Sequence, residues 1–348
     1  MSTNTTPYFT DAPALAEKRY FPEATFILWW EKIFFAVLVV IFGMIGNLLS
    51  FLLLSRHRFH NSAAAFYMRA LSLSDAGVML GLVGNHTMRI YQVHIHSTIY
   101  CKIVYFIIKW LMAVSDWILG AMCLERSIAI SFPLKSKRFL KPRNNRFALG
   151  VILALLGVYY SYTFEAYGSI QGICRTVSVA YPVNIRTMVD YVLVLVPMFL
   201  IISSNIVIIV STVRSARQKL TLTESTEAGS SVANSTQRSL VAMLVTISVA
   251  FVVLKSPYFL VKFILPESVT KKPGFQFVSR KEAVYRFIMS FFTANMYVNN
   301  AVNFYLYMLS GREYRRELKM LVTRLCKRKT EVPVEKGNAS TSTLSTSG

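Results

Sequence analysis

The feature that most constrains this chain is a set of four long segments without any charged residue. These segments are Ile33–Leu54, Phe147–Phe164, Tyr191–Val213 and Phe287–Gly311. A helix of about 20 apolar residues (range about 17–25) crosses the hydrocarbon core of a bilayer, and each run has that length. Only 16% of the residues are charged, whereas about a quarter are charged in soluble domains. The sequence therefore predicts an integral membrane protein with several spans.

Three further segments are apolar but contain ionisable residues inside the run. The segments are Ala70–Met88, Cys101–Glu125 and Ser239–Val261, and the ionisable residues are Asp75, Lys102, Lys109, Asp116 and Lys255. Ionisable groups at membrane depth are costly and usually face the interior of a helix bundle, where they mark function. Counting these segments gives seven spans. We expect an all-α membrane protein built as a bundle of seven transmembrane helices.

The distribution of basic residues predicts the orientation of the bundle. Segments on the carboxyl-terminal side of the membrane carry 21 Lys and Arg, and segments on the other side carry 13. By the positive-inside rule, the amino terminus lies outside and the carboxyl terminus lies in the cytosol of a plasma-membrane protein. The predicted divisions are an extracellular segment 1–32, a transmembrane domain 33–310, an amphipathic eighth helix 311–326 and a disordered tail 327–348. Segment 1–32 lacks the apolar core of a cleavable signal peptide.

Several smaller features follow from this topology. Leu318, Leu321 and Leu325 share one face of the amphipathic segment, which we expect to lie along the inner leaflet. Cys326 ends that segment beside three basic residues, a position that suits palmitoylation, although a bare surface thiol is the alternative. Asn4 is the glycosylation acceptor that would face outward. The basic excess falls in the loops, so the net charge of +21 does not indicate a nucleic-acid partner.

The order and spacing of short motifs resemble the rhodopsin-like (class A) G-protein-coupled receptors. The motifs are Gly46-Asn47, Leu71-Ser72-Leu73-Ser74-Asp75, Cys101 placed 25 residues before Arg126, Glu125-Arg126-Ser127, Pro197, Phe251 with Pro257, and Asn303-Phe304-Tyr305-Leu306-Tyr307. Within that class, the stretches around Asp116 and Asn303 resemble invertebrate neuropeptide receptors of the FMRFamide and thyroliberin types. The resemblance implies a receptor that binds an extracellular ligand and activates a heterotrimeric G protein.

The resemblance also assigns roles to particular residues. It implies a disulfide between Cys101 and Cys174, both on the outer, oxidising side. It implies a coupling switch formed by Glu125, Arg126, Asn303 and Tyr307, in which the freed Arg126 binds the G protein. It implies a sodium site formed by the oxygen-bearing side chains of Asp75, Ser115, Asn299 and Asn303, for which a protonated Asp75 without an ion is the alternative. Receptor kinases and arrestin are expected to act on the Ser/Thr-rich tail.

The sequence departs from the class A pattern at several motif positions. Lys255 stands where an aromatic residue precedes the proline of the sixth helix, and Asn205 stands where the fifth helix has a tyrosine. Ser127 replaces the tyrosine of the third-helix motif, and Phe304 replaces the proline of the seventh-helix motif. These departures leave the fold intact and predict altered coupling or basal activity.

The outer half of the bundle carries an excess of positive charge. The candidate ligand-binding residues are Arg89, Lys109, Glu165, Arg186, Asp190, Lys262 and Arg286. A cleft lined mostly by one sign of charge favours a ligand of the opposite sign. We therefore weigh a peptide with acidic groups against a small anionic metabolite or lipid, while each cation could instead extend to lipid headgroups. Ile108 and Tyr297 replace the residues that bind amines and retinal, which disfavours both ligands.

Two charges at membrane depth have no counterpart in the class A pattern. We predict that Asp116 and Lys255 form a buried ion pair, because two isolated charges in one bundle would cost more than one pair. In the rival arrangement, Lys255 faces the pocket and holds an acidic group of the ligand. A transporter or channel remains a less favoured function, because the sequence lacks repeats and paired broken helices. No catalytic motif indicates an enzyme.

Overall fold

The computed structural model describes most of the chain and forms a bundle of long helices. The described residues are 41–57, 62–90, 97–132, 140–170, 172–177, 183–221, 230–264 and 279–330, with Pro22, Phe26, Trp29, Trp30, Phe59 and Ser136. The elements are α1 Gly43–Leu54, α2 Ala63–Ile90, α3 Thr98–Ser131, α4 Pro142–Tyr160, α5 Thr163–Ala166, β1 Tyr167–Ile170, β2 Ile173–Thr176, α6 Val183–Thr221, α7 Ser230–Ile264, α8 Arg280–Ala301, α9 Asn303–Ser310 and α10 Arg312–Thr330. The predicted all-α bundle is confirmed.

Five helical segments are long and apolar enough to cross a membrane. They are Ala63–Gly84, Thr98–Ser131, Pro142–Ala166, Met188–Ser215 and Val241–Ile264. Helices extend beyond the uncharged runs; α6, for example, covers Val183–Thr221 where the run covers Tyr191–Val213. A helix continues into the headgroup region because water solvates its charged side chains there while its backbone bonds stay intact. The predicted first span falls partly on residues 33–40, which lie outside the described residues.

The predicted seventh span, 287–311, is two helices rather than one. α8 begins at Arg280, where the Ser279 side chain accepts a bond from the Glu282 amide, and ends at Ala301. Val302 has φ −91° and ψ −8° and separates α8 from α9. The chain bends here although Phe304 occupies the motif's proline position. The Leu306 amide still donates to Val302 O at 3.0 Å, so backbone bonding continues across the bend.

The amphipathic helix is longer than the sequence predicted. α10 ends at Thr330, four residues beyond the expected end at Cys326. The added turn contains Lys327, Arg328 and Lys329. The predicted tail 327–348 is therefore helical over its first residues, and residues 331–348 lie outside the described part.

α3 organises the packing and packs against α2, α4 and α6. α1 lies very close to α8 and α9: a Cβ at Gly43 would be 2.9 Å from Ala301 Cβ, and one at Gly46 would be 3.1 Å from Phe304 Cβ. Glycine at these positions lets the backbones approach, as small residues do in membrane helix packing. Many large apolar side chains, such as Leu155 and Phe199, remain exposed, as expected for a surface that faces lipid.

A short hairpin covers one end of the bundle. β1 and β2 pair antiparallel, with Ser169 opposite Cys174, and Gly172 turns the chain at φ 74°. Cys174 forms the predicted disulfide with Cys101 at the start of α3, with 5.4 Å between the Cα atoms. The disulfide attaches the hairpin to the bundle. We call this the disulfide end and the opposite end, where α3 carries Arg126, the Arg126 end.

Candidate functional site

Buried and partly buried polar side chains follow α3 from the disulfide end to the Arg126 end. In order they are Lys109, the neighbours Ser115 and Asp116, Cys123, and the pair Glu125 and Arg126. Each reaches a side chain outside α3, except that Glu125 and Arg126 contact each other. Buried polar groups need partners, so these layers connect α3 to its neighbours at defined depths.

Asp75 on α2 is fully buried and accepts three hydrogen bonds. Ser115 Oγ donates to Asp75 Oδ1 at 2.7 Å, and Asn300 Nδ2 donates to the same oxygen at 2.6 Å. Asn303 Nδ2 donates to Asp75 Oδ2 at 2.7 Å. Three helices therefore meet at one carboxylate through neutral donors. We call Asp75 with these three donors the Asp75 cluster.

The Asp75 cluster includes one residue that the predicted sodium site did not. Asn300 bonds to Asp75, whereas Asn299, which the prediction placed in the site, makes no bond to Asp75 among the described residues. One residue along a helix turns the side chain by about 100°, so α8 presents Asn300 to α2. Asn47 Nδ2 on α1 donates to the Asn300 carbonyl at 2.8 Å and fixes that orientation.

The side chains of the cluster fit a small hard cation. The carboxylate and the Ser115 hydroxyl supply oxygens, and Asn300 Oδ1 is a buried oxygen with no hydrogen-bond partner among the described residues. Asn47 Oδ1 on α1 is likewise buried and has no hydrogen-bond partner among the described residues. Orphaned amide oxygens beside a carboxylate are ligands of the kind that hard cations take.

Lys255 on α7 donates a hydrogen bond to Asp116 Oδ1 on α3. The pair predicted from the sequence is therefore formed, and its two side chains are among the most buried in the chain, at 1% and 4% exposure. The ammonium also lies 5.3 Å from the centre of the Phe251 ring. The rival arrangement, in which Lys255 faces the ligand pocket, is not the one in the structure. The ammonium fills the place of the missing aromatic residue and contacts the ring one helical turn away.

A contact between a thiol and two polar side chains lies between α3, α6 and α7. Cys123 Sγ is 3.3 Å from Ser248 Oγ, and Asn205 Nδ2 donates to the same sulfur at 3.7 Å. Asn205 is the residue that replaces the fifth-helix tyrosine of the class A pattern. Its Nδ2 also donates to the Ile201 carbonyl at 2.7 Å, so the amide is anchored on its own helix.

Lys109 is surrounded by tyrosines near the disulfide end. Lys109 Nζ donates to Tyr162 OH at 2.9 Å and lies 5.4 Å from the ring centres of both Tyr162 and Tyr167. Tyr159 OH donates to Asp190 Oδ1 at 3.0 Å. We call these residues the tyrosine cluster. The Lys109 ammonium, which was predicted to contact the ligand, therefore already contacts groups of the protein.

The other predicted ligand residues lie at different places. Lys262 Nζ lies 5.6 Å from the ring of Tyr191, near the end of α7. Arg186 lies over the outer face of Tyr162, at 5.5 Å from the ring centre, and Glu165 is exposed. Arg286 is partly buried on α8. Arg89 belongs to α2, but its side chain lies outside the described residues. Lys109 and Arg186 both lie over the ring of Tyr162, and the assignment of the whole set to a ligand stays a prediction.

At the Arg126 end, Arg126 Nε lies 3.1 Å from Glu125 Oε2. The two groups form an ion pair without the alignment of a hydrogen bond, because neither atom has a hydrogen-bond partner among the described residues. Tyr307 is fully buried, and its hydroxyl also lacks such a partner in the described part of the chain. The Arg126 guanidinium lies at the end of the bundle, where its N–H donors can reach a binding partner.

α10 is attached to this end by polar contacts. Tyr314 OH donates to Ser50 Oγ on α1 at 3.0 Å, and Arg56 Nε lies 3.3 Å from Glu317 Oε2. Arg315 donates to the Met308 and Leu309 carbonyls, which end α9. Burial raises the pKa of the Tyr314 phenol above its usual range, so the hydroxyl remains a donor. The predicted eighth helix is thus fixed to both α1 and α9.

The arrangement of the motif residues at both ends of the bundle agrees with a match between the sequence and a family model. Residues 46–307 match the family model described as "7 transmembrane receptor (rhodopsin family)". The chain belongs to the rhodopsin family of seven-transmembrane receptors. As a family member it is a multi-pass membrane receptor and not an enzyme.

Similar proteins include several neuropeptide receptors. Mouse galanin receptor type 2 is 33% identical over 146 residues, which cover 40% of this chain and 38% of the mouse protein. Human galanin receptor type 3 is 25% identical over 140 residues, which cover 38% of each chain. A probable G-protein coupled receptor of Caenorhabditis elegans is 22% identical over 126 residues, 34% of this chain and 29% of that protein. The chain thus matches well under half of the length of these relatives.

Sequence reasoning missed three contacts of the site. Asn300 and Asn47 were available as amides on the correct helices, but helix rotation decides which amide faces Asp75. The role of Tyr162 as the partner of Lys109 depends on the end of α4 folding back over α3. Asn4 and the Ser/Thr-rich tail lie outside the described residues, and so does the side chain of Cys326, so those predictions stand unchanged.

Proposed function

We propose that this rhodopsin-family receptor binds an extracellular peptide at the disulfide end and activates a heterotrimeric G protein at the Arg126 end. The observation that carries the proposal is the ion pair at the Arg126 end, in which Arg126 Nε lies 3.1 Å from Glu125 Oε2. Once it leaves Glu125, the guanidinium can donate to carbonyls of a partner. The galanin receptors among the similar proteins favour a neuropeptide over a small ligand.

The experiment is guanine-nucleotide exchange on purified G proteins in membranes that contain the chain, with galanin as the first probe. We expect a peptide-dependent increase in exchange that is absent from Arg126→Ala. Lys102→Ala, which removes a cation from the other end of α3, serves as the matched control. No exchange with any member of a broad neuropeptide panel, in membranes with normal surface expression, would contradict the peptide proposal.

The second candidate is a receptor for a small anionic metabolite or lipid. The charge of Lys262 at the end of α7 and that of Arg286 on α8 support it, while Lys109 contributes less because its ammonium already donates a hydrogen bond to Tyr162. Lys262→Met should weaken the response to an anion and leave surface expression unchanged. An unaltered potency in both Lys262→Met and Lys109→Met would instead favour a ligand without an essential acidic group.

A sodium ion at the Asp75 cluster is part of the proposal. Asp75, Ser115 and Asn300 would supply its protein ligands, and Asn303 would remain as the donor to the second carboxylate oxygen. A bound cation would connect α2, α3 and α8 in the resting state. The supporting observation is the pair of orphaned amide oxygens of Asn300 and Asn47. Thermal unfolding in sodium against choline chloride would test it, with Asp75→Asn as the variant that loses the difference.

The remaining expectations concern localisation and regulation. We propose a plasma-membrane location with the amino terminus outside, glycosylation at Asn4, and palmitoylation at Cys326 where α10 meets the bilayer. Phosphorylation of hydroxyls in segment 340–347 by receptor kinases would create an anionic site for arrestin. The narrower resemblance to FMRFamide-type and thyroliberin-type receptors stays a prediction about the ligand.

A further inference from the structure

A groove between α4 and α6 has no part in the proposed receptor function. It encloses about 400 Å³ at the disulfide end, and Val158, Tyr159, Tyr162, Glu165, Ile185 and Arg186 contribute to its lining. Val158 is 75% exposed and Ile185 is 58% exposed, so the groove opens away from the bundle. In a membrane protein that exposed apolar side faces the acyl chains. The groove therefore lies where a lipid could enter sideways.

Polarity changes along the groove in one direction. Glu165 follows the end of α4 and Arg186 lies in the first turn of α6, each within two residues of an end of the apolar spans Pro142–Ala166 and Met188–Ser215. Val158 lies further inside on α4, and Val189 lies three residues, about 4.5 Å, deeper than Arg186 on α6. A polar rim above an apolar floor matches a lipid headgroup above its glycerol and acyl chains.

The rim carries one positive and one negative side chain. Arg186 lies over the Tyr162 ring, and among the described residues neither Arg186 nor Glu165 has an ion-pair partner. A guanidinium matches the phosphate of a lipid through paired hydrogen bonds. A carboxylate beside the rings of Tyr159 and Tyr162 matches a quaternary ammonium, which binds aromatic faces.

We propose that the groove between α4 and α6 is a binding site for a zwitterionic glycerophospholipid, with Arg186 on the phosphate and Glu165 on the ammonium group. A lipid that carries only negative charge would pair with Arg186, but it would offer no positive group to Glu165. The site is separate from the peptide site of the proposed function, because it opens toward lipid and not toward the bundle interior. Its inner wall is Tyr162, whose hydroxyl accepts from Lys109 on the other side.

The test uses the full chain in nanodiscs of phosphatidylglycerol that contain a small fraction of phosphatidylcholine with a diazirine next to the glycerol. After illumination, labelled peptides are mapped by mass spectrometry without any agonist. We expect labelling concentrated on residues 158–165 and 185–189. Arg186→Gln and Glu165→Gln should each reduce it on the order of fivefold relative to peptides from α2. Lys102→Gln, a matched loss of charge outside the groove, should leave it unchanged.

A third variant fills the groove without removing a charge. Val158→Trp should reduce labelling as strongly as Arg186→Gln, and it keeps the bundle interior intact because Val158 is exposed. Equal labelling of all lipid-facing helices, or labelling unaffected by the three variants, would overturn the proposal. Competition by soluble glycerophosphocholine as strong as that by phosphatidylcholine would also overturn it, since the site would then bind a free headgroup. Equal labelling of the groove by a phosphatidylglycerol that carries the same diazirine would refute the zwitterionic preference.

Discussion

Two buried carboxylates in the middle of this bundle are stabilised in opposite ways. Asp75 accepts from three neutral donors on three other helices, while Asp116 accepts from the ammonium of Lys255. The two sites are neighbours, because Ser115 of the first site precedes Asp116 in α3. Both carboxylates are nearly inaccessible, at 0% and 3% exposure. The environment differs, although the burial is alike.

The difference determines how each site responds to damage. A carboxylate with three neutral donors keeps two of them when one is lost, and a neutral donor contributes only about 1.5–3 kcal/mol to a charged partner. A buried ion pair that loses one member leaves an uncompensated charge, which costs about 3–5 kcal/mol. The Asp75 cluster should therefore tolerate single changes, and the Asp116–Lys255 pair should not.

Reversal of one charge in the pair is expected to have the largest effect. Asp116→Lys places two ammonium groups together, and Lys255→Asp places two carboxylates together, so both variants should lose agonist-driven nucleotide exchange and most surface expression. The double variant restores opposite charges and should recover part of the exchange. The measurement is exchange activity normalised to surface expression. Equal loss in the double and the single variants would show that the pairing is not what these residues provide.

Neutralisation of one member should have the next largest effect. Lys255→Met leaves Asp116 charged and buried, and we expect a loss of about 3–5 kcal/mol in the free energy of unfolding, seen as a lower Tm in detergent. Adding Asp116→Leu removes the stranded charge and should restore most of that loss. Lys102→Met, which removes an intermediate-exposure cation from the same helix, is the control and should change Tm little.

The sequence predicted the pair but not the geometry that makes it possible. Two charges foreign to their positions were enough to indicate mutual contact. The apolar run that predicted this span covers Ser239–Val261, whereas α7 covers Ser230–Ile264, so the run does not give the depth at which Lys255 meets Asp116. Helix ends beyond the bilayer are not visible in an apolar run.

The Asp75 cluster and the outer pocket illustrate a second limit. The motifs placed Asp75, Ser115 and Asn303 on the correct helices, and all three meet in the structure. The choice between Asn299 and Asn300 depends on the rotation of α8, which neither motif nor hydropathy specifies. The cationic residues were likewise predicted to line one pocket, but nothing in the sequence indicated that Lys109 and Arg186 would share the ring of Tyr162. Side-chain order around a helix end is set by packing and not by charge counts.

Substitution of the adjacent amides Asn299 and Asn300 tests which of them binds Asp75. Asn300→Ala removes a donor to Asp75, whereas Asn47 keeps its bond to the backbone carbonyl of residue 300, so we expect a loss of about 1.5–3 kcal/mol in the free energy of unfolding. Asn299→Ala removes an equally large buried side chain that does not bond to Asp75, and it should cost less. Tm values of the two variants measured side by side decide the assignment. A larger loss in Asn299→Ala would return the site to the original sequence prediction.

The smallest expected effect concerns Ser115, which donates to Asp75 and directly precedes Asp116 in α3. Ser115→Ala removes one neutral donor from Asp75, but Asn300 Nδ2 keeps its bond to the same carboxylate oxygen, so a loss of about 1 kcal/mol is expected. The same substitution is then made in the Lys255→Met variant. If the two sites are independent, its cost there agrees within about 0.5 kcal/mol with its cost in the unmodified chain. A larger difference would mean that Asp75 and Asp116 belong to one network, in which the stranded charge of Asp116 uses the Ser115 hydroxyl as a substitute donor.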